Sequence, residues 1–186
     1  MASGSIKNNS HNSHNSHLKQ FFLFPILPKG VSRIVTQLTW STLQFGKHKG
    51  KTLPHVVLSD PDWFFWAVGN GIFREPLVEE AQDIARKATH IKIPRPDPEN
   101  WRLKYQFTYD DKFLDLIIVP VTTTPIESSH AMIGTYLDLS LIHRLQKYDK
   151  FGYRILLDKF REYFLNGPKL TKEICENFFH DERNFV

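Results

Sequence analysis

The stretch of sequence that decides the fold runs from residue 45 to residue 66, where a basic loop precedes an aromatic helix. The loop reads Phe45-Gly46-Lys47-His48-Lys49-Gly50-Lys51-Thr52-Leu53. The helix begins with Asp60-Pro61-Asp62-Trp63-Phe64-Phe65-Trp66. Ser59 or Asp60 is predicted to cap this helix, because either side chain can accept from free backbone N–H groups, and Pro61 fits the first turn. The sequence therefore predicts a lysine loop, residues 45–52, that leads into a capped aromatic helix.

The residues on either side of this stretch predict further short elements. β-Branched and aromatic side chains between Val31 and Phe45 favour strand pairing. A helical turn is predicted over Thr52–Leu58, and a third helix over Pro76–Ala88, where small and apolar residues repeat on one face. The first part of the chain is thus predicted to combine a short strand, a loop and helices.

The second part of the chain begins with strict alternation of apolar and polar residues from Leu103 to Tyr109. An apolar run follows the turn residues at 110–112, so the pattern predicts a β-hairpin, with a third strand at Met132–Leu137. A long amphipathic stretch, Tyr148–Leu165, and a helix capped by Thr171 complete this part. The apolar face of the long helix is expected to form core through Phe151, Ile155, Leu156, Phe160, Tyr163 and Phe164.

These elements predict an α+β fold of two small modules, the second being a hairpin-led sheet packed by C-terminal helices. Residues 1–20 repeat Ser, His and Asn and are expected to be a disordered tail. Residues 21–92 form the predicted basic module and residues 101–186 the predicted α+β module. Alternating prolines at residues 93–100 predict a stiff linker between them.

Composition narrows the classes of function. The net charge is +4, yet all 20 acidic side chains follow Ser59, whereas seven of the 24 basic ones precede it. A one-sided basic segment favours a polyanionic partner, DNA or RNA first. The single Cys175 excludes a disulfide within the chain. No signal peptide and no apolar run of membrane-spanning length are evident, so we expect a cytoplasmic protein with no membrane partner.

The lysine loop is not a nucleotide-binding loop of the Walker type. That pattern needs four residues between its first glycine and the Gly-Lys-Thr, and here only three separate Gly46 from Gly50. Because successive backbone N–H groups must wrap the phosphate, the missing residue argues against ATP or GTP. No cofactor and no metal site are predicted.

The loop and the aromatic helix together resemble a known module over residues 40–88. Their lysines, glycines and tryptophans match, in order and spacing, the C-terminal domain of exodeoxyribonuclease X-like proteins and the quorum-sensing-regulated virulence factor family. The resemblance covers roughly a quarter of the chain and implies a small accessory fold associated with DNA metabolism. The nuclease domain that accompanies the module elsewhere is not expected among these residues.

The residues themselves suit contact with nucleic acid. Lysines at alternate positions would share one face of an extended hairpin, and the glycines allow close approach of the backbone to phosphates. Tryptophans can stack unpaired bases. The predicted nucleic-acid-binding residues are Lys47, His48, Lys49, Lys51, Trp40 and Trp66.

Three functions are therefore compared. The first is a non-catalytic accessory protein that binds nucleic acid through the lysine loop. The second is a protein-interaction or effector protein in which the Lys/Gly signature is structural. The third is a metal-dependent nuclease, in which Asp97 and Asp110-Asp111-Lys112 would imitate the acid and lysine elements of such a site, although aspartates are also ordinary turn residues.

Overall fold

The computed structural model describes residues 39–123, 130–167 and 169–186. Its helices are α1 (Leu53–Ser59), α2 (Pro61–Gly69), α3 (Leu77–Ala88), α4 (Ser140–Gln146), α5 (Gly152–Phe164) and α6 (Lys172–His180). Its strands are β1 (Ile91–Lys92), β2 (Trp101–Phe107), β3 (Phe113–Pro120), β4 (Ala131–Gly134) and β5 (Tyr136–Leu137). Short 3-10 helices lie at Pro98–Asn100 and Glu182–Asn184. Helices beside antiparallel sheets confirm the α+β fold class.

Two helices begin at the caps that the sequence predicts. The Asp60 carboxylate accepts a hydrogen bond from the backbone N–H of Trp63 at 3.2 Å, and Pro61 occupies the first turn of α2. The Thr171 hydroxyl accepts from the backbone N–H of Ile174 at 3.2 Å, at the start of α6. Each cap satisfies one of the backbone donors that have no partner within the helix.

The larger sheet has the strand order β3-β2-β4, and both pairings are antiparallel. The predicted hairpin is confirmed: β2 pairs with β3 from Trp101↔Pro120 to Phe107↔Phe113, with a bulge after Gln106. The predicted third strand is divided into β4, which pairs with β2, and β5, which pairs with β1 in a second sheet.

One hydrophobic core runs through the described residues, which belong to one compact unit. Helix α1 packs against α6, α2 packs against α4, and α5 packs against β3. Residues from both predicted modules thus contribute to the same core. The proline-rich segment at 93–100 passes over the surface at Pro94–Asp97, and the Arg95 guanidinium lies 5.2 Å from the ring of Trp101.

The prediction that the long C-terminal helix buries Phe151 is wrong. Helix α5 begins one residue later, and the side chain of Phe151 is 75% exposed. Leu156, Phe160 and Phe164 are buried as expected, and Ile155 and Tyr163 pack at the border of the core. Helical periodicity extends the apolar face to Phe151 only if the helix itself continues, and here it does not.

Several predictions fall wholly or mainly outside the described residues. The tail at residues 1–20 lies there, as does most of the strand predicted over Val31–Phe45. Within residues 39–45, Thr42 forms one isolated antiparallel bridge, to Thr52. None of the helices in the described ranges is long and apolar enough to cross a membrane.

Candidate nucleic-acid interface

The lysine loop is a closed turn held by its own backbone. The N–H of Leu43 donates to the carbonyl of Lys51 at 2.9 Å, and the N–H of Gly50 donates to the carbonyl of Leu43 at 2.8 Å. Gly46 and Gly50 adopt φ values of 68° and 83°, which residues other than glycine rarely adopt. The alternation of glycine and lysine therefore builds a fixed loop rather than a floppy one.

Asp60 anchors this loop to helix α2. Besides capping the helix, its Oδ2 atom accepts from Lys47 Nζ at 2.7 Å and from His48 Nε2 at 2.9 Å. The ring of His48 is buried and lies 4.8 Å from the ring of Trp63, the residue whose backbone Asp60 caps. One carboxylate thus joins the loop, the cap and the aromatic cluster.

The environment of this carboxylate sets the charge of its partners. Burial acts to raise the pKa of Asp60, but hydrogen bonds from Lys47, the Trp63 N–H and His48 outweigh it, so the pKa lies below its ordinary value. Burial lowers the pKa of His48, and the hydrogen bond to Asp60 offsets this only in part. His48 is therefore neutral at pH 7, and it donates from Nε2 to a charged carboxylate.

This geometry separates the predicted contact residues into two groups. Lys47 is paired with Asp60, and His48 is buried and uncharged, so both hold the loop in place. Lys49 is exposed and Lys51 is half-buried, and neither forms an ion pair with another described residue. The positive charge of Lys51 contributes to the lowered pKa of His48 and of His55. Lys49 and Lys51 are the unpaired cations of the loop.

A cleft of about 350 Å³ lies beside Lys47 and Lys51. Lys47, Lys51 and the start of α2 form one wall, and residues of α4 and α5, Gln146 and Tyr153 among them, form the other. His143 of α4 donates from Nδ1 to Asp62 Oδ1 at 2.7 Å, and this contact joins α4 to α2. The cleft is thus bounded by polar groups on both sides.

The two predicted tryptophans lie in different surroundings. The ring of Trp40 is half-buried against α6, 4.9 Å from the ring of His180 and 6.5 Å from that of Phe179. Trp66 is 44% exposed and lies 6.5 Å from the ring of Trp63. Trp40 is therefore a packing residue of the helical core, whereas Trp66 stays partly exposed next to Trp63.

The acidic residues considered for a metal site are not brought together around a cavity. Asp110 lies in the β2–β3 turn, where it pairs with Lys112 at 2.8 Å and accepts from the Thr108 hydroxyl at 2.6 Å. Asp97 is exposed on the proline-rich segment. Within the described residues there is no group of three or more His, Cys, Asp or Glu side chains placed to hold a metal ion.

Sequence reasoning missed the second role of Asp60 and the far wall of the cleft. Asp60 is recognisable as a cap from the Asp-Pro pair, but its contacts with Lys47 and His48 depend on how the loop folds back. Gln146 and Tyr153 lie almost a hundred residues further along the chain. The signal that points to them is local: basic and aromatic residues alternate between Lys147 and Arg154.

Comparison of the chain with protein-family models, with curated proteins and with solved structures gave no match. The resemblance of residues 40–88 to the exodeoxyribonuclease X-like C-terminal domain thus stays a prediction that rests on its motif residues.

Proposed function

We propose that the protein is a non-catalytic accessory protein that binds DNA or RNA through the lysine loop. One observation carries the proposal: the loop holds Lys49 and Lys51 without ion-pair partners among the described residues, on a backbone fixed by hydrogen bonds. Charged groups that the protein does not neutralise are available to replace the counterions of a phosphate backbone. A contact of this kind positions a nucleic acid without reading its sequence.

The roles of the predicted residues are refined in this proposal. Lys49 and Lys51 contact phosphates, whereas Lys47 and His48 hold the loop against Asp60. Trp66 offers a partly exposed ring next to Trp63, and Trp40 supports the core. The resemblance to a module of DNA-processing proteins supports the same class of ligand. A cytoplasmic location is part of the proposal, and cell fractionation would test it.

The test is a binding titration of the full chain with fluorescent single- and double-stranded oligonucleotides at several salt concentrations. Lys49→Ala/Lys51→Ala should bind on the order of 10- to 100-fold more weakly at 0.1 M salt. The slope of the logarithm of its association constant against the logarithm of the salt concentration should be less negative by about 1.4 to 1.8. The loss follows from two phosphate contacts that no longer release counterions.

The matched control is Lys92→Ala/Lys169→Ala, which removes two exposed lysines outside the loop and changes the net charge equally. It should bind within about twofold of the wild type, because few long-range effects survive screening at 0.1 M salt. Equal losses in both double variants would mean that net charge, not the loop, governs binding. Wild-type protein that binds neither ligand at low salt would reject the proposal, and a stable protein complex that survives nuclease treatment would favour the interaction protein.

A further inference from the structure

Two large aromatic side chains are exposed in the turn between α4 and α5, residues 147–151. Phe151 is 75% exposed and Tyr148 is 59% exposed. An isolated exposed apolar residue is ordinary on a protein surface, but two exposed aromatic side chains within one five-residue turn favour a contact surface. The sequence predicts that Phe151 lies in the core, so its exposure needs a different explanation.

The turn is fixed by a buried aspartate. The Asp149 carboxylate is 4% exposed, and it accepts from the backbone N–H of Phe113 at 2.8 Å and from that of Gly152 at 2.7 Å. The N–H of Asp149 donates to the carbonyl of Leu145 at 2.7 Å. A Cβ at Gly152 would approach Phe113 Cβ to 2.8 Å, so the chain passes too close here for any larger residue. Phe151 is thus held outward by rigid backbone.

Cations flank these aromatic side chains. Lys147, Lys150 and Arg154 are all exposed, and none of them forms an ion pair with a described residue. The only acid between Lys147 and Arg154 is Asp149. Its carboxylate is buried and accepts hydrogen bonds from backbone N–H groups. The turn therefore carries two exposed lysines and two exposed aromatic side chains, and Arg154 adds a third cation in the first turn of α5.

The turn continues from the wall of the cleft opposite the lysine loop. Gln146 precedes Lys147, and Tyr153 follows Phe151 by two residues; both line the cleft that Lys47 and Lys51 line from the other side. Since consecutive Cα atoms are 3.8 Å apart, Phe151 lies within about 7.6 Å of Tyr153. The turn thus begins directly after Gln146 and ends two residues before Tyr153, so a cationic segment with exposed aromatic side chains adjoins, along the chain, the wall opposite Lys51.

We infer that the α4–α5 turn is a second contact segment of the same binding surface, and that Phe151 stacks an unpaired base of a single-stranded nucleic acid. This inference rests on the proposed function. Stacking on aromatic side chains beside backbone-tracking cations is how single strands are bound without sequence preference, and a duplex offers no free base face for it. The preferred ligand is therefore single-stranded, with Lys147 and Lys150 on its phosphates.

The decisive experiment compares Phe151→Ala and Phe151→Trp on an oligothymidylate of about 16 nucleotides and on a duplex of the same length. Phe151→Ala should weaken single-strand binding about 5- to 100-fold, the loss expected for one stacked base, and change duplex binding less than about twofold. Phe151→Trp should keep the wild-type affinity because it restores an aromatic face. Both variants should keep the wild-type thermal unfolding, since the side chain is exposed.

Lys147→Ala/Lys150→Ala provides a second readout. It should weaken binding of the single strand and flatten its salt dependence by about 1.4, as expected for two lost phosphate contacts. Lys92→Ala/Lys169→Ala again serves as the charge-matched control, with no change in the slope.

The outcomes separate this inference from the function on which it rests. If wild-type protein binds neither ligand, both fail. If Lys49→Ala/Lys51→Ala weakens binding but Phe151→Ala leaves the single-strand affinity unchanged, the inference alone fails. Equal losses on single strand and duplex would also overturn it, because stacking on an unpaired base cannot explain a loss on paired ones.

Discussion

The lysine loop and the α4–α5 turn are each fixed by one aspartate, but the two aspartates act on different donors. Asp60 accepts from the side chains of Lys47 and His48 as well as from one backbone N–H. Asp149 accepts only from backbone N–H groups, those of Phe113 and Gly152. In the lysine loop, Lys47 is thereby paired with a carboxylate. In the α4–α5 turn, Lys147 and Lys150 have no ion-pair partner among the described residues.

The difference shows that the number of basic residues in a loop does not measure its charge. Two of the three lysines in the lysine loop have no ion-pair partner among the described residues. In the α4–α5 turn the same is true of both lysines. A carboxylate that accepts from backbone donors stabilises a turn without forming an ion pair with the lysines of that turn. Substitutions of Asp149 and Asp60 therefore test this difference directly.

The largest effect is expected from Asp149→Ala. The change leaves two buried N–H groups without an acceptor, and hydrogen bonds to a charged group are worth about 1.5–3 kcal/mol each. We expect the free energy of unfolding to fall by about 3 kcal/mol, measured by urea denaturation. Asp158→Ala is the control: Asp158 is 72% exposed and pairs only with Arg161 at the surface, so its loss should stay within about 0.5 kcal/mol. A fall of less than about 1 kcal/mol for Asp149→Ala would mean that the turn does not depend on this carboxylate.

A smaller loss of stability, together with a gain in nucleic-acid affinity, is expected from Asp60→Asn. Asparagine still caps α2, so the loss of stability should be only about 1 kcal/mol. The variant no longer neutralises Lys47, which can then contact a phosphate. We expect nucleic-acid affinity to rise a few-fold at 0.1 M salt and the salt slope to steepen by about 0.7 to 0.9.

Asp62→Asn is the matched control, because Asp62 pairs with His143 rather than with a lysine. It removes the same charge from the same helix end without releasing Lys47. If the two variants raise affinity equally, the gain comes from the general field and the pairing of Lys47 is irrelevant to binding.

The smallest effect concerns pH. Burial lowers the pKa of His48 below its ordinary value of 6.5, so the folded protein takes up a proton there less readily than the unfolded chain. The contribution of His48 to stability is therefore complete above pH 6.5 and decreases as the pH falls below it. Asp60, whose pKa is also lowered, loses its contribution in a separate window below 3.8.

His48→Gln should flatten the dependence of unfolding free energy on pH between about 7.5 and 5.5, measured by urea denaturation at each pH. Burial also lowers the pKa of His55, so part of the pH dependence of the wild type should remain. His55→Gln alone should leave the portion due to His48. An unchanged pH profile in His48→Gln would contradict the assignment of a buried, neutral His48.

Much of the local structure could be predicted from the sequence. The caps at Asp60 and Thr171, the β2–β3 hairpin and the α+β class all follow from patterns within a few residues. Phe151 marks the limit of such patterns, because helical periodicity does not say where a helix begins. The burial of Phe151 was predicted on that basis, and it is wrong.

By itself, the sequence determined where helices and strands form and that the basic residues crowd the first part of the chain, because capping, turn formation and charge depend on neighbouring residues. Only the tertiary structure decided which cations stay unpaired among the described residues and that Trp40 packs on α6. It also decided that Gln146 and Tyr153, on either side of the α4–α5 turn, line the same cleft as Lys51. These features depend on contacts between groups far apart in the chain. Asp149 and Phe113, for example, meet across 36 residues, and no local pattern encodes that distance.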